Sequence, residues 1–306
     1  MTDLHTDTNR ILCSTGALIG RPNGRDFTLL AGCVDRLNCD GFEFMMYDTW
    51  YDKQQELCRT VDSLQISVPT FHIEKSVGEY ISRNEPGDTE QARALFEINC
   101  QLAKTFGSKL LVLHLWNGLH SDKNIAHNIE VYPYLREISD RYGLLLTVEN
   151  VVCNHADPMT HMLSLLDAYP DIAFTFDTKM AAFHGQLPLL YSEDCRHLFP
   201  HLRHFHINDY GGGYLDWSNL RTLPIGAGHI DFASLFSYLH ENGYNGAFTV
   251  EATAFDADGI IASRKARERG VTADQIRFEW KQNAAEACAM GTRVHETCED
   301  VLKNRR

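Results

Sequence analysis

Six apolar stretches of this chain run directly into an ionisable side chain. They end at His72 in VPTFHIEK, His114 in LLVLHLWNG, Glu149 in LLLTVENVV, Asp177 in IAFTFDTKM, His206 in LRHFHINDY and Glu251 in GAFTVEATA; Glu43 in GFEF is a weaker seventh. A charged group among apolar neighbours must pair, bind a metal or change its protonation state to stay there. Taken singly, a Glu or His at a strand end is more often a hydrogen-bonded or solvated terminus. Taken as one ring, two glutamates, an aspartate and a histidine would repel one another unless a cation lay between them. A divalent ion removes that repulsion and accepts three carboxylates with one imidazole. Oxygen-rich ligation favours Mn2+ or Mg2+ by hardness, and Co2+ or Zn2+ also fit such a donor set.

Ring formation depends on the elements that carry these residues. Apolar runs recur at Ile11–Gly20, Gly41–Tyr47, Leu64–His72, Lys109–Trp116, Gly143–Asn150, Asp171–Asp177, Leu202–Asn208 and Gly246–Glu251. Their short cores and β-branched and aromatic content predict strands. Between them lie amphipathic segments. In DTEQARALFEINCQLAKTFG, residues Ala94, Leu95, Ile98, Leu102 and Phe106 form a helical stripe, and Gly107 is the stop. HNIEVYPYLREISDRYG reads the same way, ending at Gly143. Eight strands alternating with helices predict a parallel sheet, and the count and spacing favour an α/β fold closed as a (β/α)8 TIM barrel. An open doubly wound sheet would carry G-x-G-x-x-G after its first strand, and TGALIGRPNG does not fit. The expectation is one domain over 1–306, with a barrel core over about 11–254 and a last helix with a C-terminal helical extension over 255–306. In such a barrel the C-terminal strand ends share one mouth, which is where its chemistry is done.

The formal net charge of −13, from 28 Lys+Arg against 41 Asp+Glu, argues against a nucleic-acid partner unless basic residues gather locally. Nine scattered cysteines without a C-x-x-C pair read as reduced, mostly buried thiols. The polar N-terminus lacks the form of a secretory signal, and no apolar run is long enough to span a membrane. A cytoplasmic protein without membrane attachment is expected, with homo-oligomerisation left open.

At these strand ends the sequence resembles the xylose-isomerase-like barrel superfamily of sugar isomerases and epimerases, over about residues 11–254. TVEN at 147–150, FDT at 176–178, HFHIND at 204–209 and FTVEA at 248–252 match its metal-ligand pattern on strands five to eight. The resemblance implies that Glu149, Asp177, His206 and Glu251 hold one divalent ion, Mn2+ foremost. His204 shares strand parity with His206, but His206 lies nearer the strand end and has the family's spacing to Asp209. Asn208 or Asp209 would orient a ligand or contact substrate. Abasic-site endonucleases share the barrel and use extra histidines for a three-zinc cluster. Their D-x-x-H histidine is Met180 here, a position where many ketose epimerases also carry histidine. Lys179 or His184 could stand in for it. His72 and His114 match the endonucleases' third- and fourth-strand histidines.

The chemistry implied is proton transfer next to a carbonyl, through an enediolate, on a ketose, sugar acid or cyclitol. Lewis-acid assistance to such a step is worth several kcal/mol. Glu149 and Glu251 would be the catalytic pair, one removing a proton and the other returning one. His72, His114, Trp116, Asp209 and Arg221 are the expected contacts to a small sugar or polyol. A dehydratase of the inosose or dehydroshikimate type would use the same centre, and an endonuclease-like phosphodiesterase is the third reading.

Overall fold

The computed structural model describes residues 9–251 apart from 35, 36, 38 and 224. The expected last helix and extension over 255–306, with Cys288 and Cys298, lie outside the described residues. Eight parallel strands close into one barrel in sequence order, β8 pairing with β1. They are β1 Ile11–Ser14, β2 Gly41–Met45, β3 Thr70–His72, β4 Leu110–Leu113, β5 Leu145–Glu149, β6 Ala173–Asp177, β7 Leu202–Ile207 and β8 Ala247–Val250. Each falls inside one of the apolar runs. The helices are α1 Gln54–Leu64, α2 Ser76–Arg83, α3 Asp88–Thr105, α4 Ile125–Arg141, α5 Pro158–Ala168, α6 Thr178–Phe183 and α7 Phe232–Glu241.

Outward-facing strand residues build the shell between barrel and helices. Phe205 on β7 and Phe248 on β8 meet 6.0 Å apart, and Phe236 of α7 packs on Phe248 at 5.2 Å. Each such buried ring contributes about 1.5–3 kcal/mol by leaving water. Short acidic caps set where helices begin. Asp157 accepts from the Thr160 amide ahead of α5, with Pro158 in the first turn, and Asp231 accepts from Ser234 ahead of α7.

Two helical details depart from the sequence reading. The buried face of α3 is Ala92, Phe96, Asn99, Cys100 and Ala103 with Leu102; Ala94 is exposed, and Leu95 and Ile98 are half-buried. The face is rotated because Asn99 is drawn into the barrel wall. Its Oδ1 accepts from the Glu74 amide and its Nδ2 donates to the Tyr51 hydroxyl, so a polar side chain takes a core position with its bonds satisfied. The first run also stops being strand at Ser14, where the side chain caps a single 3-10 turn over Thr15–Ala17. All seven cysteines among the described residues are free, and five are buried. No described helix is long and apolar enough to cross a membrane.

Candidate metal centre at the barrel mouth

Inward-facing residues on five strands repeat a two-step pattern. Thr70 precedes His72, Thr147 precedes Glu149, Thr175 precedes Asp177, His204 precedes His206 and Thr249 precedes Glu251, each two residues apart on one face. The intervening Phe71, Val148, Phe176, Phe205 and Val250 are buried on the other side. The lower layer is polar but closed on itself: Thr147 and Thr175 share a 2.7 Å hydrogen bond, and Thr147 also donates to Leu111 O. The upper layer carries the ionisable groups.

Four adjacent strands, β5 to β8, bring Glu149, Asp177, His206 and Glu251 together. The hub is His206 Nδ1, which lies 3.0 Å from Glu149 Oε1, 3.6 Å from Glu251 Oε1 and 3.9 Å from Asp177 Oδ2. One ligand atom from each of Glu149, Asp177 and His206 lies within 4.8 Å of the others, all buried; Glu251 stands at the edge, half-buried, facing the cavity above. Neighbouring amides fix the carboxylates. Asn208 Nδ2 donates to Asp177 Oδ2 at 2.6 Å and to Glu251 Oε2 at 3.2 Å. Asn150 Oδ1 accepts from the Asp177 amide, and Asp177 Oδ1 accepts from Met180 N as the cap of α6.

The crowding of carboxylates shows in the proton affinities of the site. Burial opposes charge on His206, yet the surrounding carboxylates of Glu251, Glu43 and Glu149 hold its proton affinity well above the usual histidine value. Asp177 is pushed up to about 6 by burial, reinforced by Glu149 and Glu251 although Lys179 opposes it. Glu149 stays ionised despite burial because His206 and His114 hold its carboxyl well below the usual range. Two buried carboxylates and one buried imidazole nitrogen, with the half-buried Glu251 carboxylate at their edge, are a donor set that fits a hard divalent ion.

Glu43 has a larger part than its place in the sequence suggests. Fully buried on β2, its Oε2 lies 3.1 Å from His206 Nε2 and 2.9 Å from His204 Nε2, and accepts from the Thr249 hydroxyl. Were an ion to displace the Nδ1 proton, His206 would still donate Nε2–H to Glu43 and turn its Nδ1 lone pair to the ion, the arrangement by which outer carboxylates fix metal-binding imidazoles. Both His204 and His206 thus point inwards, with His204 one layer deeper. The sequence signal for this was available in the T-x-E, T-x-D and H-x-H repeat, which marks an inward face of two polar layers.

On the other side of Glu149, His114 Nε2 lies 2.8 Å and His72 Nε2 3.4 Å from Oε2. The His72 ring stands between those of His114 and His206, at 4.9 and 5.8 Å. Burial lowers His114 to about 4, outweighing the attraction of Glu149, so its imidazole is neutral at physiological pH. His72, His114 and Glu149 form a second group whose ligand atoms lie within 4.8 Å of one another.

Three of the expected substrate contacts lie apart from this centre. Trp116 is fully buried, donating to Val151 O with its ring against His161. Asp209 is occupied by backbone: its oxygens accept from the amides of Tyr210, Gly226, Gly228 and Ile230, winding the β7–α7 loop around one carboxylate. A Cβ on Gly228 would lie 2.3 Å from Asp209 Oδ1, so that wrap requires glycine. Arg221 is exposed on the same loop, beside Thr222. Of the two residues expected near Met180, Lys179 lines the cavity above the centre, whereas His184 is buried and accepts from the Cys153 amide.

A family model described as xylose isomerase-like TIM barrel matches residues 34–278. No curated protein matches the chain. Among solved structures, L-ribulose 3-epimerase superimposes with a TM-score of 0.65 at 14% identity, covering 97% of each chain. The IOLI protein with a binding zinc atom gives 0.63 at 15%, covering 95% of this chain and 98% of its own. D-Allulose 3-epimerase from Methylomonas sp., in complex with D-allulose, gives 0.57 at 16%, covering 80% and 84%. At these identities the superpositions carry the fold. With the family model spanning most of its length, this chain belongs to the xylose isomerase-like TIM barrel family.

Proposed function

We propose that the protein is a divalent-metal-dependent isomerase or epimerase that moves a proton next to the carbonyl of a ketose, sugar acid or cyclitol. The observation carrying this reading is the convergence of Glu149, Asp177 and Glu251 on His206 Nδ1 at 3.0–3.9 Å. Those four side chains would hold the ion, with Mn2+ favoured by their oxygen content. When bound, the ion supplies Lewis-acid polarisation of the substrate's carbonyl and neighbouring hydroxyl oxygens.

The chain's own groups do the rest. Glu149 and Glu251 come from β5 and the end of β8 and flank the centre, so one carboxylate removes the carbon-bound proton while the other returns one. Return to the opposite face of the same carbon inverts it; return to the neighbouring carbon interconverts aldose and ketose. Neutral His114 and its neighbour His72 turn Nε2 towards Glu149 Oε2 while their Nδ1 atoms meet Asn117 Oδ1 and Ile73 O, and so position that carboxylate. The likeness to L-ribulose and D-allulose 3-epimerases supports a sugar as the substrate.

A panel of ketoses, ketose phosphates and inososes, incubated with Mn2+-loaded protein and resolved by isomer-separating chromatography, tests this. Isomeric products without loss of water are expected. A new conjugated ultraviolet absorbance would instead assign a dehydratase, and nicking of abasic DNA at higher zinc stoichiometry a phosphodiesterase.

A further inference from the structure

The lower of the two inward-facing layers is threonine at Thr70, Thr147, Thr175 and Thr249, and histidine only at His204. Threonine suffices to close such a layer, as the 2.7 Å bond between Thr147 and Thr175 shows. His204 instead brings a ring with two polar nitrogens into the sealed interior, and one of them is unmatched. Among the described residues neither His204 Nδ1 nor Glu43 Oε1 has a hydrogen-bond partner, and both side chains are fully buried. A buried polar atom without a partner is costly, and a residue that carries such a cost against the local pattern points to function rather than packing.

What the ring gains is its other nitrogen. His204 Nε2 lies 2.9 Å from Glu43 Oε2 and 2.9 Å from Thr249 Oγ1, and Thr249 itself donates to Glu43 Oε2 at 3.2 Å. His206 Nε2 reaches the same oxygen at 3.1 Å. The two imidazoles stand at 89° with centroids 5.3 Å apart, so both can aim an Nε2–H at one oxygen without their rings colliding. Thr249 pairs with His206 in the β7–β8 register, which brings its hydroxyl beside the same carboxylate. Glu43 is therefore held at Oε2 alone. The terminal torsion of a glutamate is soft, so three donors converging on one oxygen decide where the carboxylate sits. Only one of the three comes from a residue of the metal centre.

Resting on the metal-centre reading of the same site, we infer that His204 and Thr249 are positioning residues. They hold Glu43 against His206 Nε2, and Glu43 in turn keeps the His206 ring turned so that Nδ1 faces Glu149, Asp177 and Glu251. Neither residue touches the ion or the substrate. The H-x-H of β7 then divides its labour: the second imidazole meets the ion, and the first holds the carboxylate that aims it.

Mn2+ affinity of the full chain, read by calorimetric titration, tests this as a double-mutant cycle. His204→Leu removes the donor and should weaken Mn2+ about three- to tenfold, less than loss of the direct carboxylate partner. His204→Gln, whose amide places an N–H near the position of Nε2, should restore affinity to within about twofold. In a Glu43→Leu background no carboxylate is left to hold, so His204→Leu should change affinity by less than about twofold. Thr249→Val keeps the shape, removes the hydroxyl and should weaken Mn2+ in the same direction; it decides the matter if His204→Leu does not fold. Unchanged affinity in folded His204→Leu would overturn the inference. So would an equal loss with Gln and Leu, or a full additional loss in the Glu43→Leu background. A metal-free readout keeps the two readings apart. In the 15N-labelled chain without metal, the His206 Nε2–H signal should move on His204→Leu and on Thr249→Val. Absence of Mn2+ uptake by the unmodified chain defeats the metal reading, whereas a His206 signal unmoved by both substitutions overturns the positioning roles by itself.

Discussion

Replacing Glu251 by Gln is expected to cut turnover by about 10²–10⁴-fold, the range that a positioned acid or base contributes. The substitution removes a charge and keeps the shape, and the amide oxygen can still accept from Asn208 Nδ2, which now reaches Glu251 Oε2 at 3.2 Å. Glu149→Gln should lose at least as much, because Glu149 Oε1 lies 3.0 Å from His206 Nδ1 and its Oε2 meets His114 at 2.8 Å. Solvent deuterium distinguishes the two carboxylates. With two bases on opposite faces, a variant lacking one is expected to exchange the substrate's carbon-bound hydrogen from one epimer while no longer converting it to the other. Near-normal turnover of a confirmed substrate by either variant would remove the two-glutamate scheme.

The second large effect links metal, stability and pH. Without metal, both His206 and Asp177 favour their protonated forms in the folded chain. For His206, whose folded value is raised well above 6.5, the stabilisation is fully present below about pH 6.5 and is lost as pH rises through that higher value. For Asp177, raised from 3.8 to about 6, it is present below 3.8 and lost as pH rises through about 6. Glu149 is held well below 4.5 and stays ionised between pH 6 and 8, adding nothing across that interval. The metal-free chain therefore loses stability from these groups as pH rises from 6 to 8. An incoming ion must displace the same protons, so its affinity rises over that interval, by up to about tenfold per pH unit for each proton displaced. Mn2+ at a thousandfold excess over its Kd should add about 4 kcal/mol at pH 8, or roughly 8 °C in Tm for a domain of this size. At pH 6 and the same Mn2+ concentration, displacement of the His206 proton alone removes up to about 2.7 kcal/mol of that gain. Asp177→Asn should abolish the gain while preserving the cap that Oδ1 makes with Met180 N. Glu43→Gln should weaken Mn2+ about 10–100-fold, as loss of an outer carboxylate partner does. Scanning calorimetry of the three proteins at both pH values reads all of these changes. An equal Mn2+ effect in Asp177→Asn would contradict the linkage.

The barrel was legible because its strands are written twice, once as apolar runs and once as acids and imidazoles at their ends. Local chemistry carried that far: TVE, TFD, HFH and TVE each announce a strand with a polar inward face. What it could not carry was pairing across the barrel. Glu43 meets His204 and His206 only after the sheet closes through β1 and β8, and nothing near GFEF reveals those partners. The buried face of α3 departs from the apolar stripe for a related reason. Counting apolar residues places Asn99 outside, while hydrogen bonds to Glu74 and Tyr51 make it a core residue. Trp116 and Asp209 follow adjoining candidate residues closely in sequence, yet one turns into the shell and the other binds its own loop. Neighbourhood in sequence fixes a residue's strand, whereas its direction depends on pleat and loop closure.

The most direct test of the central claim is the position and number of bound ions. Crystals equilibrated with Mn2+ and measured at the manganese absorption edge should show one anomalous peak per chain, within bonding distance of Glu149, Asp177, His206 Nδ1 and Glu251. A peak elsewhere, or none while these four side chains stay apart, would contradict it.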